Sequence, residues 1–149
     1  NFESAFIKCQ MASSNPLPLK GALFVSVKNS DKPKILPVVR NFQKHGFKIK
    51  ATPGTASYLI DGGVKTTIIN KVSQGSPHIV DDLLEDKIDI LINTTEGRKS
   101  INDSFGLRRT ALLKNLPYFL TVSGARVAIS SIKELKNNNL EVNPITSFH

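Results

Sequence analysis

The sequence has one cysteine, one methionine, no tryptophan and no long apolar run. With Cys9 alone, the chain can form neither an internal disulfide nor a multi-cysteine metal site, as is typical of proteins from reducing compartments. We therefore predict no metal and a cytoplasmic location. No apolar stretch approaches the roughly 20 residues of a membrane-spanning helix, and residues 1–8 lack the basic start and apolar core of a secretory signal. Neither a membrane protein nor a secreted protein is expected.

The chain carries a formal net charge of +8, with 20 Lys and Arg against 12 Asp and Glu. Such an excess favours an anionic partner. The basic residues are spread along the whole chain, however, and two tyrosines without a tryptophan offer little surface for stacking bases. A small anion is therefore a better candidate ligand than nucleic acid. The simplest alternative is that the lysines cover solvated faces.

The 149 residues, 40% hydrophobic and 21% charged, suffice for one globular domain with its own core. Because Met11 is the only methionine, we expect that the chain does not begin at its own start codon and belongs to a longer protein. Apolar residues recur at helical spacing over residues 2–11, and a stretch with two prolines follows at 13–21. We predict the end of a preceding domain and a linker over 1–19, and a second domain over 20–149. Alternatively, the first helix belongs to this second domain.

From residue 22 onward, short apolar runs alternate with amphipathic segments. We predict strands over 22–27, 47–51, 64–69, 88–92 and 118–122, and helices over 32–45, 55–61, 78–85, 104–115 and 123–135. This alternation predicts an α/β fold in which helices cover both faces of a parallel sheet.

The helix ends carry further signals. The first helix has Pro33 in its first turn and should end at Gly46, while Pro37 predicts an irregular first turn. Residues from 136 onward are expected to be loosely ordered, except that Leu140 and Val142 suit an edge strand.

Four of the predicted strands lead into clusters of hydroxyl, amide or lysine side chains. These clusters contain Lys32, Thr52, Thr55, Lys71 and the triplet 93–95. The carboxyl ends of parallel strands share one edge of the sheet, so the clusters should converge there. Hydroxyl donors, helix N-termini and lysine ammonium groups suit a phosphate. The sequence therefore predicts an anion site at this edge.

Each of these residues also has a simpler explanation. A threonine in the position of Thr55 commonly caps a helix, a lone lysine is commonly solvated, and Asn93 can merely close a turn. Only the coincidence of all four clusters at one edge favours a binding site.

Three ordered strings resemble a known family. They are Thr52-Pro-Gly-Thr55, Asn70-Lys71-Val72 with residues 75–79, and residues 92–98 through Arg108-Arg109. Together they resemble the C-terminal regulatory domain of the carbamoyl-phosphate synthetase large subunit, which has the methylglyoxal-synthase-like fold. The resemblance implies a Rossmann-like three-layer α/β/α domain with a five-stranded parallel sheet. It covers nearly the whole chain.

The same resemblance implies the function of the domain. It would be an allosteric, non-catalytic module without a cofactor of its own that binds UMP or IMP. Its parent would be an ATP-dependent ligase, using Mg or Mn, that makes carbamoyl phosphate for pyrimidine and arginine biosynthesis. The implied partners are the rest of the large subunit and the glutaminase small subunit, in an oligomeric enzyme.

The family's site residues carry over to matching positions. The implied phosphate-binding residues are Ser26, Lys32, Thr52, Thr55, Lys71, Asn93, Thr94 and Thr95. Asp103 would be a ribose or base contact, and Tyr118 a remnant of an ornithine site. That site uses a Tyr followed two residues later by a Thr. Here Leu120 takes that place and Thr121 falls on the other face of the strand, which argues against ornithine activation.

Two other functions are possible. Methylglyoxal synthase has the same fold, but its reaction requires a general base beside the phosphate, and that family has an Asp and a His there. Here His78 and Asp103 are displaced from those positions. The other possibility is an interaction module that binds a partner through Arg108-Arg109.

Overall fold

In the part of the chain that the structure describes, five strands alternate with five α-helices. The computed structural model describes residues 17–95 and 97–146, with side chains for residues 17–95 and 104–138. The strands are β1 (Gly21–Ser26), β2 (Phe47–Ala51), β3 (Thr66–Ile68), β4 (Ile90–Asn93) and β5 (Tyr118–Phe119). The helices are α1 (Lys32–Lys44), α2 (Pro53–Asp61), α3 (Ile79–Leu84), α4 (Gly97–Leu113) and α5 (Val122–Thr146), with 3-10 turns at Asn29–Asp31 and Val72–Gln74.

The sheet has the strand order β3-β2-β1-β4-β5, and every pair of neighbours is parallel. Val25 of β1 is paired with Ala51 on one side and Ile92 on the other. One residue later, Ser26 is paired with Asn93. The register therefore brings the ends of β1, β2 and β4 to one level, as the sequence predicted.

Helices cover both faces of the sheet. The first core lies against α1, α2 and α5, and contains Val25, Ile49, Ile92, Ile35, Leu59 and Ile132. The second core lies against α3 and α4, and contains Phe24, Leu91, Tyr118, Leu83 and Leu107. The predicted three-layer α/β/α architecture with a five-stranded parallel sheet is confirmed.

Helix α1 begins and ends as the sequence indicates. Pro33 lies in its first turn, and Gly46, just beyond its end, has φ 94°. The irregular turn predicted at Pro37 was wrong, since α1 runs over this residue without a break. Pro37 removes the N–H that would bond to the Pro33 carbonyl, but Pro33 is exposed, so water can satisfy that carbonyl.

The C-terminal part of the chain differs more from expectation. Helix α5 continues to Thr146, so the loose order predicted over residues 136–146 and the edge strand at Leu140 and Val142 were wrong, while residues 147–149 lie outside the described residues. Three asparagines disfavour a helix by less than about 0.7 kcal/mol each, which does not stop one already formed. The predicted helix over 2–11 lies outside the described residues, and the predicted boundary near residue 20 stays a prediction.

None of the helices in the described part of the chain is long and apolar enough to cross a membrane.

The start of α3 depends on the ionised carboxylate of Asp81. Its Oδ2 accepts the His78 N–H at 2.9 Å, and this bond lowers the pKa of Asp81. A lowered pKa contributes stability that is present above the unfolded value of about 4 and is lost as the pH falls through the folded value. Urea unfolding of Asp81→Asn between pH 2 and 6 should show lower stability near pH 6 and a shallower acid loss than the wild type. Parallel curves for the two proteins would contradict this cap.

Candidate functional site

A concave site of about 400 Å³ lies at the carboxyl edge of the sheet, and we call it the edge hollow. Its lining residues are Ser26, Val27, Lys28, Asn29, Lys32, Thr52, Gly54, Thr55, Lys71 and Thr94. Six of the eight residues predicted to bind phosphate are therefore brought together here. The two that do not line it are Asn93 and Thr95.

Two threonines anchor the segment that leaves β1. The Val27 N–H donates to Thr55 Oγ1 at 3.1 Å, and the Lys28 N–H donates to Thr94 Oγ1 at 3.0 Å. Both threonine side chains are buried. These bonds hold the β1 end against α2 and against the end of β4, so the two hydroxyls shape the edge hollow as well as line it.

Other hydroxyl hydrogens remain available to a ligand. Thr52 Oγ1 donates to Ser26 Oγ at 2.9 Å, which leaves the Ser26 hydroxyl hydrogen without an acceptor among the described residues. Thr94 Oγ1 acts as an acceptor for Lys28, so its own hydrogen is also free to donate. A hydroxyl can accept and donate at once. The edge hollow therefore presents oriented O–H donors.

The start of α2 adds backbone donors. Pro53 has no N–H, and the first N–H groups after it, those of Gly54 and Thr55, have no acceptor within the helix. A Cβ atom at Gly54 would lie 3.4 Å from Lys32 Nζ, so this ammonium group lies over the helix start. A cation at a helix N-terminus is unfavourable unless an anion lies between them. The arrangement therefore favours binding of an anion between the Lys32 ammonium group and the start of α2.

The charges around the edge hollow have one sign. Lys28, Lys32 and Lys71 line it, and no Asp, Glu or His does. Within the described ranges, none of these lysines forms a salt bridge. Hydrogen-bond donors and uncompensated positive charge together suit a phosphate or a similar oxyanion.

Asn93 belongs to a buried hydrogen-bond network on the face of β4 that α4 covers. Its Nδ2 donates to Ser104 Oγ at 2.9 Å and to the Tyr118 hydroxyl at 2.6 Å. Burial raises the pKa of Tyr118, while the bond with Asn93 and the nearby Arg108 partly offset this. The Arg108 guanidinium carbon lies 5.9 Å from the centre of the Tyr118 ring. Asn93 and Tyr118 therefore join β4, β5 and α4 here.

The remaining predicted residues lie elsewhere. Thr95 lines a second cavity of about 700 Å³, which shares Lys28 and Thr94 with the edge hollow. Arg108 also lines that cavity, whereas Arg109 lines a smaller apolar cleft beside Phe105. The Asp103 side chain lies outside the described residues. Its assigned role stays a prediction.

Three basic residues that line these cavities, Lys28, Lys34 and Arg126, were not among the residues predicted from the sequence. Lys28 directly follows the first predicted strand, and this position alone was a signal for including it. Arg126 lines the second cavity from the first turns of α5, where nothing in the local sequence separates it from an ordinary solvated arginine.

Replacing Thr55 with Val should lower the free energy of unfolding by about 1–3 kcal/mol, because the buried Val27 N–H loses its acceptor. Thr55→Ser keeps the oxygen and is the matched control. We expect chemical denaturation to show this loss for the valine variant and a smaller one for the serine variant. Equal losses would mean that the hydroxyl bond contributes little.

Comparisons with known proteins agree with this fold. A model of the family described as "MGS-like domain" matches residues 34–120. The chain is 43% identical over 148 residues to the carbamoyl phosphate synthase large chain of Rhizobium meliloti, covering 99% of this chain and 13% of that protein. It is 40% identical over 149 residues to the carbamoyl phosphate synthase large chain, C-terminal section, of Methanopyrus kandleri, covering 99% of this chain and 28% of that protein.

A solved structure shows the same architecture. The crystal structure of methylglyoxal synthase from Elizabethkingia anophelis superposes with a TM-score of 0.62 at 16% identity, covering 76% of this chain and 80% of that one. At this identity the likeness concerns the fold. The chain spans about an eighth of the length of the full-length relatives, 13% in the Rhizobium protein. With the family model matching more than half of its residues, the chain belongs to the MGS-like domain family.

Proposed function

We propose that this chain is the allosteric regulatory domain of a carbamoyl phosphate synthase large chain and binds the phosphate of UMP or IMP in the edge hollow. The observation that carries the proposal is the lining itself, in which three lysines and free hydroxyl and N–H donors face one cavity without a carboxylate. The family and the relatives named above provide the context. In this proposal the domain has no cofactor, and the synthase acts in the cytoplasm with ATP and Mg or Mn.

The donors are sufficient for a regulator of moderate affinity. Hydrogen bonds to charged groups contribute roughly 1.5–3 kcal/mol each, and four or five of them, less the ordering cost, give about −8 kcal/mol. That free energy corresponds to a dissociation constant of about 1 μM.

Regulation requires unequal affinity for two states of the enzyme. Lys71 begins the exposed segment over residues 71–77, which is an element that a bound nucleotide can reorganise. We propose that this conformational change is transmitted to the rest of the large subunit and to the glutaminase small subunit, in an oligomeric enzyme.

Ornithine is not proposed as a ligand. The Tyr118 hydroxyl is bonded to the buried Asn93, and the exposed Leu120 lies at a cavity that also contains Lys28, Arg108 and Arg126. Ornithine carries two ammonium groups and one carboxylate, and this cavity is lined by four cations and one carboxylate, so the net positive charge of ornithine is repelled there.

A methylglyoxal-synthase-type reaction is less well supported. Proton abstraction requires a general base within hydrogen-bond reach of the substrate. His78 does not line the edge hollow, and its Nδ1 faces Asp81 Oδ2 at 3.6 Å. We therefore propose a binding domain rather than a lyase.

Isothermal titration calorimetry of the 149-residue chain with UMP, IMP and ornithine, each at the same ionic strength, tests the proposal. We expect saturable micromolar binding of at least one nucleotide and none of ornithine. Dihydroxyacetone phosphate is the control for the alternative, since its conversion to methylglyoxal at an enzyme-like rate would replace this proposal. Absence of binding by both nucleotides would contradict it.

A further inference from the structure

The second cavity, which we call the arginine basin, is larger than the edge hollow and is lined by more cations than a single phosphate requires. It measures about 700 Å³ and lies between the starts of α1 and α5, the end of β5 and one face of α4. The charged residues that line it are Lys28, Asp31, Lys34, Arg108 and Arg126.

Four cations against one carboxylate leave the arginine basin strongly positive. Within the described residues, Lys28, Lys34, Arg108 and Arg126 form no salt bridges. A concave surface lined by one sign of charge concentrates the field and attracts the opposite ion. The hydroxyls of Thr95, Thr121 and Ser123 also line the basin, although Thr121 Oγ1 already accepts the Gly124 N–H at 2.9 Å.

The two cavities are contiguous. Lys28 and Thr94 line both, and the Lys28 N–H donates to Thr94 Oγ1 at 3.0 Å. A group bound in the edge hollow therefore lies next to the arginine basin. Together the cavities expose six basic side chains and a single carboxylate, that of Asp31.

We propose that the arginine basin is a second phosphoryl subsite, so that one ligand with linked phosphoryl groups occupies both cavities. The proposal rests on the proposed function, since the first phosphoryl group is the one in the edge hollow. Arginine suits a phosphoryl group because its planar donors can bind two oxygens at once. The effector class thus extends from monophosphates to compounds with two or more phosphoryl groups.

The test is calorimetry with inorganic phosphate, pyrophosphate and tripolyphosphate at fixed ionic strength. In the wild type we expect tripolyphosphate to bind about tenfold or more tightly than phosphate, because charge-assisted bonds are added. Arg126→Gln should reduce tripolyphosphate affinity by about three- to tenfold and leave phosphate affinity within about twofold.

Two further variants sharpen the result. Arg109→Gln also removes one arginine charge, but from α4 and at a residue that lines neither the edge hollow nor the arginine basin, so it should change neither affinity by more than about twofold. Asp31→Asn removes the single carboxylate and should raise tripolyphosphate affinity about two- to fivefold.

The outcomes separate the two proposals. Two results would overturn the second subsite and leave the edge hollow intact, provided that phosphate binds. In the first, tripolyphosphate binds no more tightly than phosphate. In the second, Arg126→Gln lowers the affinity for both anions equally. A basin that serves only to dock an acidic protein surface would give one of these results. If none of the three anions binds the wild type, the second subsite is overturned, and the proposed function fails as well when neither UMP nor IMP binds.

Discussion

Replacing Lys32 with Ala should weaken nucleotide and phosphate binding about ten- to a hundredfold, because it removes one charge-assisted bond of about 1.5–3 kcal/mol. The ammonium group lies over the start of α2, next to Gly54, where it has no carboxylate partner among the described residues. Its loss also removes a positive charge beside the start of α2. Calorimetry with UMP, IMP and inorganic phosphate measures the effect directly.

The matched control is Lys65→Ala, which removes the same charge from an exposed lysine that lines neither cavity. We expect less than about a twofold change for this variant. Without ligand, Lys32→Ala should unfold at a denaturant concentration no lower than the wild type, because the Lys32 side chain makes no described hydrogen bond and its charge is unfavourable at a helix start. Unchanged affinity in Lys32→Ala, or an equal loss in both variants, would remove the edge hollow as the binding site.

The convergence at the edge hollow could be predicted from sequence because it depends on one rule of topology. Parallel strands end at a common edge, so recognising β1, β2 and β4 was enough to bring Lys32, Thr52 and Thr94 together. The rule fixes the level of a residue along the sheet. It does not fix the face toward which a side chain points.

The alternation of side chains along a strand explains why Asn93 lies away from the edge hollow. Ile90 and Ile92 belong to the core beneath α1 and α5, whereas Leu91 belongs to the core beneath α4. Asn93 is two residues after Leu91, so its side chain lies on the same face of the sheet and contacts Ser104 and Tyr118. Thr94 lies on the other face and lines the edge hollow. This signal was present in the sequence and would have separated the two residues.

The arginine basin could not be predicted in the same way. Arg108 and Arg126 lie on different helices, and only the packing of α4 and α5 beside β5 brings them to one cavity. Each is an exposed arginine on an amphipathic helix, a pattern that fits solvated residues equally well. The tail was mispredicted for a related reason, since weak propensities do not decide where a long helix ends.

Replacing Asn93 with Ala should destabilise the protein by about 2–6 kcal/mol, because it removes the amide donor from two buried hydroxyls at about 1–3 kcal/mol each. These are Ser104 Oγ and the Tyr118 hydroxyl, whose residues are 8% and 5% exposed. Tyr118→Phe removes one of the two bonds and should cost less, about 1–3 kcal/mol. Urea unfolding at neutral pH compares the two variants.

The same pair of variants decides whether Asn93 acts on the ligand or on the fold. If its amide only joins β4 to α4 and β5, phosphate affinity measured well below the unfolding midpoint should stay within about threefold of the wild type, far less than the loss in Lys32→Ala. Wild-type stability combined with a tenfold or greater loss of affinity would instead make Asn93 a direct ligand. The buried bonds to Ser104 and Tyr118 favour the first result, because an amide held on the α4 side of the sheet cannot also face the edge hollow.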